Sequence, residues 1–118
     1  MIHQLHTHRQ IRYNMITCCL TYTINLRKVP EFEEYCRVWI GIVEKYGGKN
    51  DAVYLPSEGA CDIALWFFSF PSLAAYEQYR TAILSDPEVH KAWKWEEEVG
   101  SWSRFERTFY RPMDREWT

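Results

Sequence analysis

The chain carries few of the patterns that announce a chemistry. Its four cysteines, Cys18, Cys19, Cys36 and Cys61, form no CxxC pair and no zinc-ligand spacing. It holds no HExxH, no phosphate-cradling glycine loop and no nucleophile elbow. No metal and no cofactor is implied. A net charge of −2 gives no electrostatic case for nucleic acid. No segment approaches the roughly 20 apolar residues of a membrane helix, so no membrane span is expected. Cysteines without a pairing pattern read as small buried thiols in a reducing compartment, which implies a cytoplasmic protein.

Large rings are abundant. Aromatics make up 17% of the 118 residues, with six Trp, eight Tyr and six Phe. The length suits one domain. Rings dominate core and interface energetics, and a small core does not readily absorb this many. A buried partner surface or a ring-lined pocket would use the excess.

Residues 1–14, MIHQLHTHRQIRYN, contain no acid and three of the four histidines. They read as an extension before the domain. His3, His6 and His8 lack a supporting shell and read as solvated rather than metal-binding. The stretch is too short and too poor in serine for a transit peptide, and it has no apolar signal core.

From Ile16 to Ile24 apolar residues alternate with Thr17, Cys19, Thr21 and Thr23, the period of a strand. Val29, Phe32, Cys36, Trp39, Ile40, Val43 and Tyr46 then recur at helical spacing. Pro30 fits the first turn of that helix, and Gly47-Gly48 ends it. A short strand is expected over Ala52 to Leu55, followed by the turn Pro56 to Gly59. Ile63 to Phe70, IALWFFSF, is apolar on both faces, so both faces need cover. Ser72 is the expected N-cap of a second helix with the stripe Leu73, Tyr76, Tyr79 and Ile83. Asp86 and Pro87 restart the chain into a third helix, with Val89, Ala92 and Trp93 inward. Glu96 to Glu98 reads as a solvated face. A last strand runs from Trp102 to Tyr110, with Trp102 and Tyr110 expected opposite Phe105 and Phe109.

The order β-α-β-β-α-α-β is the α+β, ferredoxin-like arrangement: an antiparallel four-stranded sheet with helices on one face. The other face would remain bare while its strands stay apolar, an abnormal patch for a monomer. A second copy packed sheet to sheet, a homodimer, resolves this.

Several segments, in order, resemble the NIPSNAP family: MITCCLTYTI, EFEEYCRVW, VEKYGG, YLPSEG, FSFPSLAAYEQYR, SDPE and SRFERTFYRP. The resemblance spans about Met15 to Met113. Its most specific parts are Tyr46-Gly47-Gly48, Phe70-Pro71-Ser72-Leu73 with Tyr76 and Arg80, Asp86-Pro87 and Arg111-Pro112. It implies a dimeric α/β barrel over residues 15–113, with residues 114–118 as a tail. It carries no agreed catalytic set onto this chain.

The candidate pocket residues are Tyr22, Trp39, Trp66, Tyr76, Arg80, His90 and Trp93. Tyr22 and Trp66 fall on faces that can border a gap between sheet and helices. Arg80 can reach an anionic group at the pocket edge, although a snorkelling surface arginine is the plainer reading. His90, the domain's only histidine, is the natural acid–base group, or simply a surface helix residue. Ser57 reads as turn chemistry. Arg104, Arg107 and Arg111 beside Glu106 suggest cross-strand or intersubunit ion pairs. The leading functional expectation is a homodimeric small-ligand module binding an organic molecule. A cofactor-independent or haem-linked monooxygenase on the same fold is the enzymatic alternative, with Trp66 and His90 shaping or protonating the substrate. A structural interaction module docking through Glu96 to Glu98 is the third.

Overall fold

Strand β1 (Ile16–Ile24) lies between β3 (Ile63–Phe70) and β4 (Trp102–Tyr110), and β2 (Lys49–Tyr54) edges the sheet beyond β3. All pairings are antiparallel, in the order β2-β3-β1-β4. Three α-helices complete the ferredoxin-like fold: α1 (Val29–Lys45), α2 (Leu73–Ala82) and α3 (Pro87–Val99). Short 3-10 turns at Leu26–Lys28 and Ile83–Ser85 precede α1 and α3. The computed structural model describes residues 14–113. The tail 114–118 and the extension 1–14 apart from Asn14, including His3, His6 and His8, lie outside the described residues. No helix among the described residues is long and apolar enough to cross a membrane.

The alternation of β1 decides which side the core takes. Cys18, Leu20, Tyr22 and Ile24 are buried, and so are Ala64, Trp66, Phe68 and Phe70 on β3. The register Cys18↔Phe68, Leu20↔Trp66 and Tyr22↔Ala64 puts both sets on one face. Helix α1 packs there through Phe32, Tyr35, Cys36, Trp39, Ile42 and Val43, the residues its helical spacing brings to one side. Helix α2 adds Tyr76 and Tyr79, while α3 adds Val89 and Ala92. Gly48 is required by close approach: a Cβ there would lie 2.5 Å from Val43 Cγ1 and 2.8 Å from Phe70 Cζ.

The capping expectations at Ser72 and Asp86 hold. Ser72 Oγ accepts from Ala75 N at 3.1 Å, and Asp86 Oδ1 accepts from Glu88 N at 2.9 Å. Asp86 Oδ2 also accepts from Lys45 Nζ at 2.7 Å and Tyr46 Oη at 2.5 Å, which ties the start of α3 to the end of α1. These hydrogen bonds, that of Lys45 first, lower the Asp86 carboxyl from 3.8 to about 2. A carboxyl held lower in the folded than in the unfolded chain stabilises the fold above its unfolded pKa. The contribution drains away as pH falls through the window from 3.8 to about 2. Urea midpoints measured from neutral to acid pH should therefore fall more steeply in that window for the wild type than for Asp86→Asn. Parallel profiles would remove Asp86 as the cause.

Several expectations are corrected. Strand β2 begins at Lys49 rather than Ala52, with a register shift between Asn50 and Ala52. Its start is hidden by polarity: Asn50 faces the helices, donating to Ile40 O and accepting from Trp66 Nε1. Leu73 is 51% exposed and leaves the α2 stripe. Cys61 is exposed in the β2–β3 connection, while the other three thiols are buried. Glu96 is not solvated. It is buried and accepts from Ser101 N, Ser101 Oγ and Trp102 N, closing the turn from α3 into β4. A register shift at Thr23/Ile24 pairs Tyr22 with Phe105 and Ile24 with Trp102. It brings Trp102 to the face of Phe105 and Phe109, and only Tyr110 remains opposite.

Candidate functional site

Between the sheet and the helices lies a cavity of about 240 Å³. The floor comes from Leu20 and Tyr22 of β1, Trp66 and Phe68 of β3, and Trp102, Phe105 and Arg107 of β4. The helices close it with Tyr35 and Trp39 of α1, Tyr76, Tyr79 and Arg80 of α2, and Trp93 of α3. Every helix-facing position of a twisted antiparallel strand points at this layer, so alternation delivers the floor except for Trp102, which the β4 register shift brings in. Strand β4 lies at the sheet edge, where Phe105 stays 38% exposed and leaves one side of the cavity open.

The rings interlock edge to face. Tyr22 meets Phe32 at 5.1 Å and Trp102 at 5.6 Å, and Trp102 meets Phe105 at 5.3 Å. Trp39 and Trp93 bridge α1 and α3 at 6.0 Å. Such contacts favour one arrangement of the walls. Burial pushes the Tyr35 phenol up to about 12 and raises Tyr22, Tyr76 and Tyr79 above their usual value. These tyrosines keep their protons near neutral pH and remain hydrogen-bond donors.

Of the residues anticipated from sequence, Tyr22, Trp39, Trp66, Tyr76, Arg80 and Trp93 line this cavity. His90 does not. It is exposed on α3, with Nε2 2.6 Å from Leu84 O and its ring against Trp93. The ion pair beside Glu106 forms with Arg104 rather than Arg107, which turns into the cavity instead. The signal lay in the spacing Phe105-x-Arg107-x-Phe109, an arginine set in an apolar stripe. Tyr35 and Trp102 were also missed as pocket residues. Tyr35 lies on the helical stripe between Phe32 and Trp39, which was the available signal, and Trp102 reaches the cavity through the strand irregularity.

A larger hollow of about 380 Å³ lies between α1 and α3, with Glu34, Glu88 and Lys91 around it and no sheet residue in its wall. It is a groove between helices, and its charges are of both signs. Among the described residues no group of three His, Cys, Asp or Glu side chains is placed to hold a metal.

The family model described as NIPSNAP matches residues 19–115, most of the chain. The chain belongs to the NIPSNAP family. Solved NIPSNAP structures share its fold. An uncharacterised NIPSNAP-like domain protein from Burkholderia xenovorans is 17% identical, with a TM-score of 0.73 over 87% of this chain and 89% of that one. A NIPSNAP family protein of unknown function from Agrobacterium tumefaciens is 16% identical, with a TM-score of 0.73 over 85% and 89%. Beyond the NIPSNAP proteins, a candidate antibiotic-biosynthesis monooxygenase from Caulobacter crescentus is 12% identical, with a TM-score of 0.65 over 92% and 99%. No curated protein matches in sequence. Identities this low establish the NIPSNAP fold for this chain and leave the use of its cavity to the residues themselves.

Proposed function

We propose that this NIPSNAP domain is a small-ligand-binding module that works as a homodimer. The cavity carries the reading: rings from the sheet and all three helices enclose about 240 Å³ with a few polar groups among them. That volume suits a molecule of one or two rings. A cytoplasmic setting is supported by Cys18, Cys19, Cys36 and Cys61, all of them free thiols.

The dimer reading rests on the sheet face turned away from the helices. Leu65 and Phe67 of β3 lie there, with Tyr54 of β2 6.2 Å from Phe67 between ring centroids. Tyr54 is 59% and Tyr110 53% exposed. Thr17, Ser69 and Asp51 join three strands on the same face by hydrogen bonds, which makes it firm as well as partly apolar. A second copy of the same face is the simplest cover.

The enzymatic alternative draws support from fold-level neighbours such as the Caulobacter protein. Among the described residues no histidine, cysteine or carboxylate lines the cavity, so the acid–base role considered for His90 has no geometry here. The docking alternative loses Glu96 to the interior.

Native mass spectrometry of the purified chain tests the proposal. The expected result is a dimer that releases a small organic molecule on denaturation, while Phe67→Asp gives a monomer. A wild-type monomer with no bound mass would sink both parts.

A further inference from the structure

We propose that the cavity selects a small organic anion, with its ring among the tryptophans and its acid group between Arg107 and Arg80. The inference rests on the ligand-binding reading above and adds the chemical class. It starts from an imbalance of charge. Among the described residues two arginines line the cavity, and no Asp or Glu does. The ion pairs among the described residues use Arg37, Lys45 and Arg104 and leave Arg80 and Arg107 out.

Arg107 is the stronger anchor. Its Nε is buried and makes no well-aligned hydrogen bond, and the guanidinium has the Cys18 thiol, a weak acceptor, beside it. Its Cζ lies 5.4 Å from the centroid of Phe105, which orients the guanidinium plane. A charged donor withdrawn from water without a strong acceptor is costly to maintain. Arg80 approaches from the helix layer. Both guanidinium groups line the same cavity, Arg107 from the sheet and Arg80 from the helix layer, so two positive charges share one region. A bound anion would relieve that repulsion, and the planar guanidinium fork matches a carboxylate.

The uncharged groups agree. Trp66 Nε1 is already satisfied by Asn50 Oδ1 at 3.1 Å. Trp39 Nε1 and Trp102 Nε1 are buried against the Tyr35 hydroxyl, neither in good hydrogen-bond geometry. Both indoles act on the Tyr35 hydroxyl, which places these donors around one part of the wall. An indole N–H and a guanidinium can only donate, so the ligand must accept. Ring-lined sites also suit cations, but the two arginines disfavour that occupant. Inorganic phosphate would satisfy the arginines and leave the ring surfaces unused.

Isothermal titration of the full-length protein with 2-naphthoate, its neutral isostere 2-naphthamide and inorganic phosphate separates these outcomes. Naphthoate should bind roughly tenfold to a hundredfold more tightly than naphthamide, the range expected for hydrogen bonds to a charged group. Arg107→Met should bring naphthoate down to the level of naphthamide and leave naphthamide unchanged. Arg80→Met, at an exposed position, should act in the same direction without risk to the fold. Equal binding of naphthoate and naphthamide would overturn the anion inference and leave the ligand-binding reading standing. Binding of phosphate as tightly as naphthoate would overturn the organic part. No binding by either naphthalene would overturn both readings.

Discussion

Replacing Glu96 with alanine is expected to destabilise the domain by about 3–5 kcal/mol. Three donors, Ser101 N, Ser101 Oγ and Trp102 N, would lose their acceptor at once. A buried donor left unpaired costs roughly 1–3 kcal/mol, and entering water would recover part of the sum. The location allows little water, since Ser101 is 0% and Glu96 7% exposed. The carboxylate also reinforces a turn whose backbone is already specialised. Gly100 takes the left-handed conformation at φ 67°, and its N–H donates to Glu96 O at 2.8 Å. Side chain and carbonyl of one residue thus fix the path from α3 into β4, and with it the place of Trp102 in the cavity. Glu96→Gln keeps the shape and one acceptor oxygen and should lose roughly half as much. Urea unfolding monitored by tryptophan fluorescence measures both. An alanine variant with an unchanged midpoint would show that these hydrogen bonds are not holding the turn.

Phe70→Ala should cost a similar amount, about 3–5 kcal/mol, for a different reason. The ring is 1% exposed and meets Tyr79 at 5.0 Å, Tyr76 at 5.8 Å and Phe68 at 6.2 Å between centroids. The chain also approaches it closely at Gly48. Removing the ring loses its transfer energy and opens a void that α2 and the α1–β2 turn must collapse to fill. Phe70 is not part of the cavity wall, so affinity for 2-naphthoate should change much less than stability. A loss below about 1 kcal/mol in urea unfolding would mean that the site repacks, against the close packing described here. A large loss of ligand affinity with little loss of stability would reverse the assignment of this ring to the core.

Local periodicity carried the fold because each element here is internally consistent. The β1 alternation, the α1 stripe and the caps at Ser72 and Asp86 depend on residues within one or two turns of each other, and all are found in place. The misreadings share a cause. Asn50 looked like loop and Glu96 looked like solvated surface because polar side chains are ordinarily exposed. Each is instead held by a partner on another element or across a turn, and that partner sets the price of burial to near zero. Arg107 was given an ordinary surface role for the same reason. Its place in the stripe with Phe105 and Phe109 was visible, but the absence of a carboxylate opposite it was not.

Spacing along the chain and short motifs were enough for the element order, the sheet with helices on one side, the NIPSNAP membership and most of the rings that face inward. Only packing in three dimensions brings Trp102 and Arg107 into the cavity, keeps His90 outside it, and gives the Trp66 N–H an Asn50 acceptor while the Trp39 and Trp102 N–H groups face the Tyr35 hydroxyl. Those outcomes depend on a one-residue shift in strand register and on which donors find acceptors in three dimensions, and neither is written in the period of any single segment.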